Sequence, residues 1–476
     1  MTLIKNKYKL YYLSFLIIST PFLNFISNNI SQKEIILGKS FYFLIVLTIL
    51  FISIISITFN KFKIDKNLDI KLTAVSIFFW LFFLHYSLKS FLINFSIKNT
   101  FFSPYISEIS LLLIIITIIF FIFKIINRNE SFIRFLLISF TIIFFSSIIK
   151  LSINKNETIL KNNNSNEFIE LLSKNNSFEK KNIYYFILDS MQPIEDFEKF
   201  YNLDLKTYKK FFEERGYSYI ANSKSLFDNT KYTLTTFFSL DEKYIENTKF
   251  YFPVFLRPNY KPNLILLLDK LNYDFKWVGN MYAYCPGYNL KYCLNSNQEF
   301  FIDYYLYINF FKQSPIPQIL TKFFQLFNYD FNKNIIFPLH NGLGRLKDFL
   351  DFDKEILTKP TFYFVHHSSP HYPYLTNNDC SYNFTPGEKS LTGYKNAYLC
   401  DLKRIKEMIL FLEKNDPESF VVFQADHNWK MSKNHQEEKK NIFNLIKKNK
   451  CEIKKDINYH NINSLKFIFS CMILNP

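Results

Sequence analysis

Two apolar runs in this chain end in groups that can bind a cation. Asn182-Ile183-Tyr184-Tyr185-Phe186-Ile187-Leu188 leads into Asp189-Ser190, and Phe420-Val421-Val422-Phe423-Gln424-Ala425 leads into Asp426-His427-Asn428. Carboxylate oxygen and imidazole nitrogen suit Zn²⁺ or Mn²⁺, and an adjacent Asp-His pair reaches one cation where the chain turns. A third string, His366-His367-Ser368-Ser369-Pro370-His371, packs three of the chain's 8 His into six residues. A fourth, Asn229-Thr230-Lys231-Tyr232-Thr233-Leu234-Thr235-Thr236, is dense in hydroxyls. A Thr touching a cation can ionise to an alkoxide nucleophile. Each residue also has a plain use. Asp189 suits a turn or a helix cap, the threonines suit N-caps, and loop histidines bind metals adventitiously.

Strands are needed to bring these groups together. A run of β-branched and aromatic residues reads as a buried parallel strand, and open α/β sheets place their sites at the carboxyl ends of the strands. Strands are expected at 182–188, 217–221, 274–279, 361–367, 419–425 and 465–473, and helices at 204–214, 234–240, 262–271 and 395–414. This alternation predicts an α/β domain with a mainly parallel sheet. The hydroxyl-dense segment opens a helix, whose N-terminus attracts anions. Residues 281–355 read as an irregular, aromatic insertion near the site. No repeat or Gly-rich phosphate loop is present, and Gly is scarce, with 8 in all.

The chain has 476 residues, is 49% hydrophobic and 20% aromatic, contains 58 Phe, and carries a formal net charge of +16. No nucleic-acid-binding motif accompanies the basic excess, so a membrane protein with Lys-rich ends is the better reading. The apolar excess lies in the first 150 residues. Five segments, 8–29, 41–60, 72–95, 108–126 and 132–150, are long enough to cross a bilayer, which takes about 20 residues. The first is too long for a signal peptide core and lacks a small-residue cleavage site. Lys5, Lys7 and Lys9 precede it, Lys61, Lys63, Lys66 and Lys71 separate the second and third, and Lys124, Arg128 and Arg134 flank the fourth-to-fifth turn. The alternate loops carry only Lys33, Lys39 and Lys98. Positive residues stay inside, so the N-terminus is expected in the cytoplasm and everything after about residue 150 outside. Residues 151–180 form a polar linker, in which 168–172 is either a short surface helix or a helix packed on the domain.

All six Cys follow the membrane block. Outside the cytoplasm an even number points to disulfides. Cys285–Cys293, Cys380–Cys400 and Cys451–Cys471 make a sequential set, one of fifteen connectivities, and six free thiols are the alternative.

Together these strings resemble the sulfatase/alkaline-phosphatase superfamily, in particular its membrane-anchored branch, the lipoteichoic acid synthases and phosphoethanolamine transferases. The resemblance covers the whole chain and implies three parts: a transmembrane domain of about five helices over 1–150, a linker over 151–180, and an extracytoplasmic alkaline-phosphatase-like α/β domain over 181–476. It places the metal ligands on Asp189, Thr233, Asp426 and His427, with Thr233 as nucleophile. Thr230 is the alternative nucleophile, from a second alignment of the same motif. His366 and His371 fall on the family's spaced histidines, which bind substrate or a second cation. The chain departs from the pattern at Asn428, where a Gly is usual. It also lacks a formylglycine motif, and His435 is the one near candidate for a further metal-binding His.

The resemblance implies a Zn- or Mn-dependent transferase at the plasma (inner) membrane. It would move a phosphoryl-linked group, phosphoethanolamine- or phosphoglycerol-like, from a lipid headgroup donor to a surface glycan or lipid acceptor. His366 or His371 would serve the leaving alcohol. A membrane-bound phosphate or sulfate ester hydrolase, and a pseudoenzyme of the same fold, are the other readings.

Overall fold

The computed structural model describes residues 12–24, 73, 75–77, 80–81, 117, 121, 124–125, 129–153, 179–243, 262–279, 341–352, 359–383, 391–429, 440–449, 451–453 and 457–473. The chain divides into two units, Met1–Leu160 with Phe300–Asn328, and Lys161–Glu299 with Tyr329–Pro476.

In the first unit, helix α1 spans Tyr12–Asn24 and helix α2 spans Glu130–Ile153. Within α2, Ser131–Lys150 is 20 residues long with hydropathy 2.3. At 1.5 Å per residue that matches the roughly 30 Å hydrocarbon core of a bilayer. One stripe of α2, with Ile133 and Phe140, packs against Leu13, Leu16 and Ile17 of α1. Its outer stripe is equally apolar: Phe135, Ile138, Ile142, Phe145 and Ile149 are each at least 50% exposed. Water-facing helices place polar residues there, so this surface suits lipid. Among the described residues α2 is the one helix of spanning length. The expected segment 41–60 lies outside them, and 8–29, 72–95 and 108–126 are described only in part.

The second unit is built on a six-stranded sheet. Its strands are β1 (Ile183–Leu188), β2 (Tyr217–Tyr219), β3 (Asp274–Gly279), β4 (Thr361–His367), β5 (Phe420–Ala425) and β6 (Asn444–Lys447), in the order β2-β6-β5-β1-β4-β3. β3, β4, β1 and β5 run parallel. β6 is antiparallel to β5 and to β2, so the sheet is mixed, with a parallel centre. β1 lies between β4 and β5, and all three strands are fully buried.

Helices cover both faces, as such strands require. On one face α5 (Thr230–Ser239), α6 (Asn263–Lys270) and α9 (Asn461–Cys471) pack on Ile183, Tyr185 and Ile187 of β1, with Leu234, Phe237 and Phe469 in that core. On the other, α3 (Ile194–Tyr201), α4 (Lys206–Glu214), α7 (Gly342–Phe352) and α8 (Leu391–Asn415) pack on Tyr184, Phe186 and Leu188. The aromatic richness is spent in these layers: Tyr184 stacks on Tyr363 at 4.7 Å and Phe186 on Phe423 at 4.4 Å.

The expected strand 465–473 is instead part of helix α9. His460 caps it, accepting from the Asn463 N–H, and its buried residues Ile462, Leu465, Ile468 and Phe469 recur at helical spacing. β6, α3 and α7 have no counterpart in the sequence reading. α7 falls inside the stretch expected to be irregular, most of which lies outside the described residues, as do 168–172 and His435. Cys380–Cys400 and Cys451–Cys471 are disulfide-bonded, so these four are not free thiols. Cys285 and Cys293 are outside the described residues.

Candidate metal centre

Side chains alternate across a strand, and this parity builds the site. In β1, Ile183, Tyr185 and Ile187 face α5; the next residue of that parity is Asp189. In β5, Val422 faces the same way, and Asp426 continues its parity. In β4, Phe362 and Phe364 face α5, and His366 follows. Ile187 is in register with both His366 and Gln424, so three ligand-type residues emerge side by side at one sheet edge. Asp189, His366 and Asp426 are all buried and offer ligand atoms within 4.8 Å of one another.

His427 completes the edge. Its Nε2 lies 3.4 Å from Asp189 Oδ1 and 3.7 Å from Asp426 Oδ2. Its Nδ1 is 2.8 Å from the Asn428 carbonyl oxygen. A carbonyl only accepts, so Nδ1 donates to it, and Nε2 is the nitrogen turned toward the carboxylates, the arrangement metal-binding histidines use. Asn428 supplies this contact through its main chain.

Each carboxylate is held by one oxygen. Asp426 Oδ1 accepts from the main-chain N–H of His427 at 2.8 Å and of Ser190 at 3.1 Å, while Oδ2 is buried, with His427 Nε2 3.7 Å away. Asp189 Oδ1 accepts from Ser190 Oγ at 3.2 Å, and Oδ2 is 3.6 Å from His366 Nε2. Burial, reinforced by the Asp189 charge, pushes the Asp426 carboxyl above its ordinary range. Burial acts the same way on Asp189, but His371, His366 and His427 outweigh it and hold that carboxyl well below the usual range. Two buried carboxylates at this spacing repel unless a cation lies between them. The inward oxygen of Asp426, the oriented Nε2 of His427 and the mixed O/N donor set therefore fit a divalent metal.

The hydroxyls separate cleanly. Asn229 caps α5, accepting from the Tyr232 N–H at 2.9 Å, and this fixes the phase of the helix. Thr230, in its first turn, brings Oγ1 to 3.3 Å from His427 Nε2 and 3.5 Å from Asp189 Oδ1. Thr233, one turn on, is buried, and its Oγ1 donates to the Asp426 main-chain oxygen at 3.1 Å. Thr233 thus touches the backbone of Asp426, while Thr230 touches the side chains of His427 and Asp189.

His371 is exposed, its ring centroid 6.3 Å from that of His427. It lies in a segment with cis peptides at Ser369-Pro370 and Tyr372-Pro373. His367, next to His366, faces the opposite side of the sheet, where its Nε2 meets Asp401 Oδ1 at 2.9 Å; burial, against the pull of Asp401, lowers its pKa. Sequence reasoning passed over Ser190, whose hydroxyl sits in the site.

No family model matches the sequence, and no curated protein matches it. Among solved structures, the chain is similar to the C-terminal periplasmic domain of EcEptC from Escherichia coli in complex with Zn, at 12% identity over 63% of this chain and 84% of that one, with a TM-score of 0.39. It is similar to the lipoteichoic acid synthase LtaP from Listeria monocytogenes at 12% identity, over 59% and 70% of the two chains, with a TM-score of 0.35. Similarity to the integral membrane protein lipooligosaccharide phosphoethanolamine transferase A (EptA) from Neisseria meningitidis extends over 92% of this chain and 88% of that one, at 13% identity and a TM-score of 0.37. These phosphoethanolamine transferase and lipoteichoic acid synthase structures are of the sulfatase/alkaline-phosphatase superfamily, which the sequence motifs also resemble.

Proposed function

We propose that this chain is a metal-dependent, membrane-bound transferase that moves a phosphoryl-linked headgroup from a lipid donor to an outer-surface glycan or lipid through a threonine-linked intermediate. The observation that carries this reading is the Thr230 hydroxyl, set at a helix N-terminus against His427 and Asp189. Asp189, Asp426 and His427 would hold Zn²⁺ or Mn²⁺, with His366 beside the carboxylates. A cation there lowers the pKa of a neighbouring hydroxyl and neutralises phosphoryl oxygens.

Thr230 Oγ1 forms a bond to phosphorus as the bond from phosphorus to the lipid alcohol oxygen breaks. Net, one proton passes from the Thr230 hydroxyl to the departing alcohol, and His366 or His371 carries it. An acceptor hydroxyl then attacks the phospho-threonine, restores Thr230 and returns the proton balance. The α5 N-terminus favours the anionic group throughout. In this reading residues 1–150 anchor the enzyme in the plasma membrane with the N-terminus in the cytoplasm, 151–180 link, and 181–476 act on the outer side. A lipid-borne donor explains why a soluble-type α/β domain carries an apolar anchor such as α2.

The test is to incubate purified protein in lipid nanodiscs with zinc or manganese and a phosphatidylethanolamine or phosphatidylglycerol donor. A phosphoryl-linked adduct on a threonine of the 229–236 peptide, discharged by a sugar acceptor, is expected. Ester hydrolysis with no transfer to any acceptor would replace transferase by hydrolase, and no adduct with no turnover would sink both.

A further inference from the structure

Ser190 has an unusual backbone for its type. Its φ is +65°, in the left-handed region that non-glycine residues visit rarely. The turn is pinned from behind: the Ser190 carbonyl accepts from the Tyr394 hydroxyl at 2.9 Å, and the Tyr394 hydroxyl oxygen accepts from the Gln192 N–H at 3.2 Å. Tyr394 is in turn stacked on Trp429 at 4.0 Å and 6°. Held this way, Ser190 donates twice toward the site. Its N–H reaches Asp426 Oδ1 at 3.1 Å and its hydroxyl reaches Asp189 Oδ1 at 3.2 Å. These two carboxylates come from different strands, and one residue ties them together.

We propose that Ser190 is a positioning residue that holds Asp189 and Asp426 each by its Oδ1 and so fixes the two carboxylates against one another around a shared divalent cation. This rests on the metal-site reading above. A hydroxyl that merely fills space gains nothing from lying on a ligand carboxylate, whereas partners of metal ligands fix ligand orientation and typically contribute about 10- to 100-fold in affinity. The left-handed turn brings both donors of one residue onto two carboxylates, and a hydroxyl at this position is what distinguishes Ser from the glycine that such a turn would ordinarily favour.

The experiment uses the full chain in nanodiscs and measures zinc affinity by competition with a chromophoric chelator, beside the zinc-dependent rise in melting temperature. Ser190→Ala and Ser190→Gly both delete the hydroxyl, but glycine suits the turn, so that variant is expected to fold with a zinc-free melting temperature no lower than wild type. Both are expected to bind zinc about 10- to 100-fold more weakly. Ser190→Gly binding zinc as tightly as wild type would overturn the clamp while leaving the metal site standing. Failure of the wild-type protein to bind zinc at all would remove the metal site, and the clamp with it.

Discussion

Thr230 Oγ1 lies 3.3 Å from His427 Nε2, whereas Thr233, one helical turn later, spends its hydroxyl on the carbonyl of Asp426 at 3.1 Å. The two threonines answer differently to deletion. Thr230→Ala is expected to abolish the phosphoryl adduct and lower turnover by roughly six orders of magnitude, as removal of a nucleophile does, with little change in stability. Thr233→Val leaves a buried carbonyl without its donor and costs on the order of 1 kcal/mol, but keeps the adduct. Peptide mapping that finds the label on Thr233 would reverse the assignment.

Asp426 predicts a trade between stability and metal binding. Its folded pKa lies above the ordinary value because of burial and the Asp189 charge. Such a group favours the fold at low pH and loses that contribution as pH rises through the folded pKa. In metal-free protein at neutral pH, the Asp426 charge is therefore a cost. Asp426→Asn removes the cost and is expected to melt no lower than wild type without metal, yet gain nothing from zinc. Wild type should gain about 2.7 kcal/mol at a hundredfold excess over Kd. Melting curves with and without zinc decide, and an equal zinc response in both proteins contradicts the prediction.

His460 predicts a second pH dependence. Burial lowers its pKa from 6.5, against the opposing pull of Glu242 at 3.2 Å. A depressed pKa means that the fold prefers the neutral ring, so stability is held above pH 6.5 and falls as pH drops through the folded value. His367 adds a slope of the same sign. His460→Gln is expected to flatten the fall of melting temperature on acidification without removing it; an unchanged slope would show that another group dominates.

Gly342 opens α7 directly against β4. A Cβ there would meet the main-chain oxygen of His366 at 2.6 Å, closer than real contacts allow. Gly342→Ala is expected to cost about 1–3 kcal/mol in urea denaturation, and to weaken zinc binding by moving His366. A neutral result would mean that α7 shifts instead of the strand.

Much of the site was legible because three strands announce themselves as apolar runs, and the polar residue that ends each run is conspicuous. Asp189 and Asp426-His427 stand at the ends of two such runs, and His366 was singled out by the density of histidines in 366–371. Ser190 was not, since nothing in its neighbours betrays a left-handed turn. The choice between Thr230 and Thr233 needs the phase of α5, which depends on Asn229 acting as the cap. Short elements were the weak point of the fold. Asn444-Leu445-Ile446-Lys447 is too brief to show a period, and the Ile- and Phe-rich run at 465–473 fits strand and helix alike until His460 is seen to cap it.

The neighbouring histidines 366 and 367 part to opposite faces of β4, one beside Asp189 and the other onto Asp401. That division makes the centre intolerant of changes in length. Exchanging an apolar residue in the three central strands alters packing by degrees. Adding or deleting one residue in β4 would carry the imidazole of His367 to the Asp189 side and turn that of His366 toward α8. The same edit in β1 or β5 would rotate an aspartate into a hydrophobic layer. Apolar exchanges in these strands are graded in their effect, whereas a one-residue change of length inverts the faces that the two histidines and the aspartates occupy.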